Sequence, residues 1–282
     1  MLLRNPLQRP GYLSKLIWQC LVVYGLGMGS VFASSYPTLN DADKAWIGQQ
    51  IFNNECAARI ACLSSWNAAE PFPSLGIGHF IWYRKDQHDI FEESFPALIR
   101  YLESQGIEIP AWIIAAEYDA PWESRQAFLD QQQAPDLTQL RELLASTMTE
   151  QTEFIIQRFE ASLNKLLAVS AADESETITR NFFAVANAHP PYGLYALIDY
   201  VNFKGEGIVA TERYANQGWG LLQVLQGMSE QTPPLEAFVD SARRTLQTRV
   251  DNSPAIRNEA QWLPGWNKRL DTYLPTRTLG EN

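Results

Sequence analysis

A glutamate and a glycine-bearing segment stand out because together they could hold an acid–base group beside a bound substrate. Glu55 lies 19 residues before the run Ser74 to Phe80, which reads SLGIGHF. Glycines that alternate with apolar residues predict a tight, twisted hairpin whose backbone passes close to another group. A carboxyl group at the end of a helix, facing such a hairpin, could donate a proton to a bond held between the two.

The helix that carries Glu55 is predicted from its cap and its apolar spacing. Asn40 can cap the first turn, and Ile47, Ile51 and Glu55 then recur every four residues on one face. Glu55 therefore continues an apolar stripe, where a carboxyl group loses hydration. A buried carboxylate needs a reason, which is either an arginine partner such as Arg59 or catalysis.

The hairpin is predicted as a strand over Ser74 to Tyr83 with a partner strand nearby, after an irregular stretch that contains two prolines. His79, at the end of the glycine run, has two interpretations. It could donate a hydrogen bond to Glu55 and contact substrate, or it could simply fill the hairpin.

A second group of polar and aromatic residues lies near the end of an apolar helical pattern. Glu206 stands between two glycines, and Trp219 and Gln223 follow it after a short polar stretch. An exposed indole can stack on the apolar face of a sugar, and an amide can bind hydroxyl groups. With Tyr200 they are predicted to bind substrate across the cleft from the hairpin. The alternatives are that Glu206 is a solvated turn residue and that the glycines around Trp219 only allow close helix packing.

The N-terminus predicts export. Residues 1–33 contain a basic start, an apolar run broken by glycines and small residues before Ser34, which is typical of a cleaved signal peptide. An uncleaved membrane anchor of similar length is the alternative. Cleavage would leave residues 34–282 as one domain, in the periplasm or outside the cell.

The charge excludes some classes of partner. Residues 1–33 carry three positive charges and no negative one, so their removal would take the net charge from −10 to −13. An acidic surface does not favour nucleic acid or an anionic membrane, because both need lysine and arginine. A neutral or cationic polymer fits this charge, and the sequence is silent on protein partners.

Two cysteines remain after residue 33. Cys56 and Cys62 are six residues apart, directly after Glu55. In an oxidising compartment they could form a disulfide. On a continuous helix they would instead be two buried thiols, too far apart to bridge. The three histidines show no metal-ligand spacing, so neither a metal nor another cofactor is predicted.

The rest of the chain is predicted to be mostly helical. Helices are expected over residues 91–105, 121–132, 136–147, 150–168, 174–187, 193–203, 219–228 and 235–250. With the small hairpin near the start, the predicted class is mainly α (α+β).

These residues resemble the phage-type lysozymes, or endolysin muramidases, over residues 45–105. In that family a helix-terminal glutamate is the general acid, and a hydroxyl residue precedes Gly-Ile-Gly-His. The resemblance implies these roles for Glu55 and Ser74. The family's aspartate position is Ala68 here, with Glu70 nearby.

The run Gly220 to Val224 is similar to the Gly-Leu-Met-Gln segment of lytic transglycosylases. In that family the segment follows the catalytic glutamate, and the spacing is close to that between Glu206 and Gly220 here. Both resemblances imply a lysozyme-like helical domain that cleaves the β-1,4 bonds of peptidoglycan. Glu70 and Glu206 are alternative second carboxylates. The sequence allows two other functions. The chain could be a chitinase or chitosanase, or a non-catalytic wall-binding module that keeps the lysozyme fold.

Overall fold

Helices make up most of the secondary structure in the computed structural model of this chain, which describes residues 35–275 apart from 69, 88, 90, 91 and 211. The described residues belong to one compact unit. The prediction of a mainly helical chain with a small antiparallel β element is confirmed. The predicted signal peptide, residues 1–33, lies outside the described residues.

Helix α1 (Asp41–Cys56) carries Glu55 in its last turn. At its start, Asn40 Oδ1 accepts a hydrogen bond from Asp43 N at 2.9 Å, and Asp43 Oδ2 accepts one from Asn40 N at 3.0 Å. This reciprocal cap satisfies two backbone donors that the helix leaves free. Ile47 and Ile51 are fully buried, so the predicted apolar face is the one that packs inward.

The small sheet has the antiparallel order β1 (Ser64–Ser65), β2 (Ser74–Leu75) and β3 (Phe80–Ile81). The prediction of one strand through Ser74 to Tyr83 is wrong in its middle. Gly76 (φ +68°) and His79 (φ +47°) have left-handed backbone, so residues 76–79 form a turn between two short strands. The glycine run therefore makes the hairpin turn itself.

The helices between the sheet and residue 170 are α2 (Phe95–Ser104), α3 (Ala111–Ala115), α4 (Arg125–Asp130), α5 (Pro135–Ser146), α6 (Met148–Glu160) and α7 (Ser162–Val169). The helix predicted over 150–168 is two helices, which meet at Ala161. The sequence pattern did not predict α3.

The last part of the described chain contains α8 (Ala172–Ala186), α9 (Tyr192–Lys204), a hairpin of β4 (Arg213–Tyr214) and β5 (Gln217–Gly218), α10 (Leu221–Gln226), α11 (Pro234–Asn252) and α12 (Leu263–Asp271). Gly193 to Tyr200 of α9 are all buried, so this helix runs through the core. Helix α12 was not predicted, although it contributes to the candidate site.

Helix α1 packs against α6 and α9, which places its C-terminal turn beside the end of α9. Over the described residues, every helix is too short or too polar to cross a lipid bilayer.

Candidate functional site

The Glu55 carboxylate is held by side chains from three separate parts of the chain. Glu55 Oε1 accepts hydrogen bonds from Arg269 Nη2 at 2.5 Å and from Asn202 Nδ2 at 3.2 Å. His79 Nδ1 lies 3.3 Å from Glu55 Oε2. The side chain of Glu55 is only 13% exposed. The arginine partner of Glu55 is thus Arg269, and Arg59 is exposed at the surface.

Arg269 is shared between Glu55 and Asp199. Its Nε and Nη2 each donate to an Asp199 oxygen at 2.8 Å, and the Asp199 side chain is fully buried. Burial alone would lower the pKa of Arg269, but the charge and hydrogen bonds of Asp199, together with the charge of Glu55, outweigh it and raise that pKa well above the ordinary value. Asp199 compensates the guanidinium, so Arg269 can orient Glu55 without being its dedicated counter-ion.

Asp199 has two more donors. Tyr273 Oη donates at 2.6 Å and Asn54 Nδ2 at 3.3 Å. Burial and the charge of Asp199 raise the pKa of Tyr273 well above its ordinary value, so this hydroxyl stays a donor. A fully buried aspartate with this many partners forms the rigid base of the site.

His79 connects Glu55 to a disulfide. Cys56 and Cys62 are joined, with Cα atoms 5.4 Å apart, because α1 ends at Cys56 and the chain turns back through Ala57 (φ +47°). His79 Nε2 lies 3.7 Å from Cys62 Sγ and 3.9 Å from Cys56 Sγ. The sulfur atoms of the two cysteines and a ring nitrogen of His79 lie within 4.8 Å of one another, a spacing that could hold a metal ion. The disulfide, however, occupies both sulfur atoms.

Glu206 lies on the loop that follows α9 and faces α7. Its Oε1 accepts a hydrogen bond from Ser162 Oγ at 2.7 Å and lies 3.2 Å from Lys165 Nζ. The side chain is 15% exposed, so Glu206 is not a solvated turn residue. Gly205 and Gly207 both have φ near +80°, a conformation that lets the loop turn Glu206 toward α7.

Glu55 and Glu206 line the same cleft of about 330 Å³. Polar side chains of both charges surround them, and apolar side chains form the remaining wall. The polar lining residues are Glu55, His79, Ser94, Arg158, Ser162, Lys165, Asn202 and Glu206. The others are Gly78, Phe80, Ile81, Ile155, Phe159, Ile198 and Val201. The cleft combines an apolar surface with convergent hydrogen-bonding groups, which suits a small polar ligand or one segment of a polymer.

Ser74 and Glu70 do not line this cleft. Ser74 is buried in β2, and its Oγ donates to Glu70 Oε2 at 3.5 Å. Neighbouring hydrogen bonds hold both residues within the sheet region: Ser65 Oγ donates to Ser74 O, and Trp66 Nε1 donates to Glu70 O. The structure therefore places the predicted hydroxyl residue Ser74 and the candidate second carboxylate Glu70 outside the cleft that Glu55 lines.

Trp219 and Tyr200 are inside the protein and do not line the cleft. Trp219 is 8% exposed, and the guanidinium carbon of Arg249 lies 4.1 Å from its ring centroid. Tyr200 is fully buried and donates to Trp219 O at 2.9 Å. Burial raises the pKa of Tyr200 far above its ordinary value. The glycines around Trp219 serve close packing, as in the alternative interpretation.

Gln223 supports the Glu206 loop with both ends of its amide. Its Oε1 accepts from Gly220 N at 3.0 Å, and its Nε2 donates to Gly207 O at 3.1 Å. A Cβ atom on Gly220 would lie 2.1 Å from Gly207 N, so the two backbones touch. Leu222 N also donates to Glu206 O at 3.0 Å. Gln223 thus holds the loop in place from outside the cleft.

Sequence reasoning missed several side chains that build the site: Ser162, Lys165, Asp199, Asn202 and Arg269. Asp199 had a usable signal, because it is a lone charge in the apolar run of α9. Arg269 had none, since it is 214 residues from Glu55.

Comparisons with protein-family models, curated proteins and solved structures find no match for this chain.

Proposed function

We propose that the chain is an exported enzyme with a lysozyme-like fold that cleaves β-1,4 bonds in an amino-sugar polymer, with peptidoglycan as the substrate. The observation that carries the proposal is that two largely buried glutamates, Glu55 and Glu206, line one cleft. Paired carboxylates that flank a bond are the usual equipment of glycosidases. The Cys56–Cys62 disulfide supports export, because such bonds persist in oxidising compartments.

In this mechanism Glu55 is the general acid that protonates the glycosidic oxygen. Arg269 and Asn202 fix the orientation of its carboxyl group, and His79 contacts the second oxygen. A fixed donor matters because proton transfer requires hydrogen-bond distance to the leaving oxygen.

Glu206 is the second carboxylate, oriented by Ser162 and Lys165. It would either activate water or stabilise positive charge on the sugar ring. Asn202 offers hydrogen bonds to hydroxyl or acetamide groups, while Val201 provides apolar surface for a ring face.

A non-catalytic wall-binding module is the second candidate. One observation favours it: both carboxylates already have basic partners, Arg269 and Lys165. A chitinase or chitosanase would use the same residues on a related polymer, and the acidic composition favours the cationic one.

The test is release of soluble fragments from purified peptidoglycan, chitin and chitosan by the wild-type protein, Glu55→Gln and Glu206→Gln. Glu70→Gln is the matched control, because Glu70 lies outside the cleft. The proposal is supported if the wild-type protein releases fragments from peptidoglycan and both cleft variants do not. Mass spectrometry of the fragment ends then distinguishes hydrolysis from transglycosylation. Binding to peptidoglycan without release supports the binding module instead.

A further inference from the structure

The residues in and next to α12 carry a series of side chains, here called the stripe, that runs from solvent to the candidate site. Trp262 ends a 3₁₀ turn (Glu259–Trp262), Trp266 and Arg269 lie in α12, and Tyr273 follows the end of that helix. They are spaced by four, three and four residues, the spacing of neighbours along a helical backbone. Trp262 is 42% exposed, whereas Tyr273 is fully buried. The stripe therefore passes from the surface, through Arg269, to the base of the site.

The aromatic rings on this stripe are in contact with each other and with the site. The Trp262 and Trp266 ring centroids are 6.1 Å apart, and those of Trp266 and Phe203 are 6.4 Å apart. The guanidinium carbon of Arg269 lies 4.4 Å from the Phe203 centroid, while Arg269 Nη2 holds Glu55. A continuous path of contacts thus links exposed Trp262 to the Glu55 carboxylate.

Lys204 adds a polar atom to this surface. Its Nζ lies 3.5 Å from the Trp266 centroid and 4.0 Å from the Phe203 centroid. Within the described part of the chain, Lys204 has no ion-pair partner. We call Phe203, Lys204, Trp262 and Trp266 the aromatic platform.

We propose that the aromatic platform binds a sugar ring of the glycan whose scissile bond lies at Glu55, with the ring stacked on Trp262 and one of its substituents near Lys204. This inference rests on the proposed function and identifies where the substrate chain leaves the cleft. Flat aromatic surface next to a polar tip fits a pyranose, which has apolar C–H faces and polar edges.

The position of the platform fits a neighbouring sugar. Trp262 precedes Arg269 by seven residues, a rise of about 10 Å along a helix. A ring on Trp262 would therefore belong to the same oligosaccharide as the bond at Glu55 without entering the cleft. Burial, with the charges of Arg249 and Arg269, lowers the pKa of Lys204 to about 6. This shift favours the uncharged amine, which suits a neutral N-acetylated sugar.

The test is calorimetric titration of the N-acetylglucosamine tetramer and dimer into the Glu55→Gln protein, whose catalysis is blocked. In this background Trp262→Ala should raise the Kd of the tetramer about 5- to 10-fold, the scale of one lost aromatic contact. A dimer bound in the cleft alone would make no contact with Trp262, so it should keep its affinity. Ile256→Ala is the matched control, since Ile256 is 93% exposed but is not part of the platform.

The inference is overturned if Trp262→Ala changes the tetramer Kd by less than twofold, or if Ile256→Ala raises it equally. It is also overturned if the tetramer does not bind. Failure of the proposed function would be seen separately, as absence of fragment release by the wild-type protein. Thermal unfolding of each variant checks that the fold is retained.

Discussion

Glu55, which lines the cleft, accepts a hydrogen bond from Arg269, which is 214 residues away in the sequence. The contact joins the end of α1 to α12, and Asp199 of α9 compensates the charge of the arginine. The orientation of the proposed catalytic carboxyl group therefore depends on the tertiary fold of the whole described chain.

Glu55→Gln should lower the rate of glycan cleavage by about 10²–10⁴-fold, the usual effect of losing an acid–base catalyst. Stability should stay nearly level, because Arg269 keeps Asp199 as its partner. Initial rates on purified peptidoglycan measure the effect, with Glu70→Gln as the control. Equal rates for Glu55→Gln and wild type would remove Glu55 from the mechanism.

Arg269→Met should destabilise the protein by about 3–5 kcal/mol, because it leaves the buried Asp199 charge without its partner. Asp199→Asn combined with Arg269→Met should recover part of that loss. Urea unfolding gives both values. The double variant should cleave more slowly than wild type, since Glu55 keeps Asn202 but has lost Arg269 as an orienting donor. Full activity of a folded double variant would show that Arg269 has only a structural role.

Glu206→Gln should lower kcat by about 10²-fold and leave KM nearly unchanged, as expected for a group that acts in the transition state. Glu212→Gln is the control, because Glu212 follows on the same connection but does not line the cleft. Steady-state kinetics separate the two parameters. A raised KM with unchanged kcat would make Glu206 a binding residue.

The Cys56–Cys62 disulfide closes a short loop, and its loss should cost about 2 kcal/mol. Thiol titration of unreduced, denatured protein that begins at Ser34 should find no free thiol. Cys62→Ser should lower the free energy of unfolding by that amount and change cleavage through His79, which contacts both sulfur atoms and Glu55. Two free thiols in that titration would contradict the bridge.

Lys204→Met should stabilise the protein more at low pH than at high pH. Burial, Arg249 and Arg269 lower the pKa of Lys204 to about 6, against the opposing charge of Glu259. Between about pH 6 and pH 10 the unfolded chain binds a proton that the folded protein does not, so stability rises with pH over this window. The gain from Lys204→Met should therefore be greatest below pH 6 and fall toward pH 10. Melting temperatures at pH 5, 7 and 9 test this, and a constant difference would contradict it.

Local patterns predicted the helices well where apolar spacing was regular. The spacing of Ile47, Ile51 and Glu55 gave both the face of α1 and the inward position of the glutamate. The same reasoning missed α12, because its apolar residues are few and much of its surface is exposed. The prediction of a strand through Gly76 was wrong because the alternation of apolar residues does not reveal a left-handed φ.

The candidate site could be predicted only in part. Glu55, His79 and Glu206 carried local signals, namely a helix end and flanking glycines, and the structure brings them to one cleft. Trp219 and Gln223 carried similar signals, yet Trp219 is buried and Gln223 supports the Glu206 loop from outside the cleft. Residue type alone does not tell whether an indole or an amide faces a ligand or the core. Partners such as Arg269 depend on how distant helices pack.

The link between Glu55 and Arg269 has a consequence for the nascent chain. Synthesis proceeds from the N-terminus, so the α1 glutamate exists long before α12 supplies its guanidinium. In a chain that lacks α12, Glu55 would have no arginine donor and the buried charge of Asp199 would have no counter-ion. The proposed general acid would therefore be oriented only after α12, the last helix of the described residues, has been made. Truncation before Leu263 is expected to abolish cleavage while leaving the Glu55 helix sequence intact.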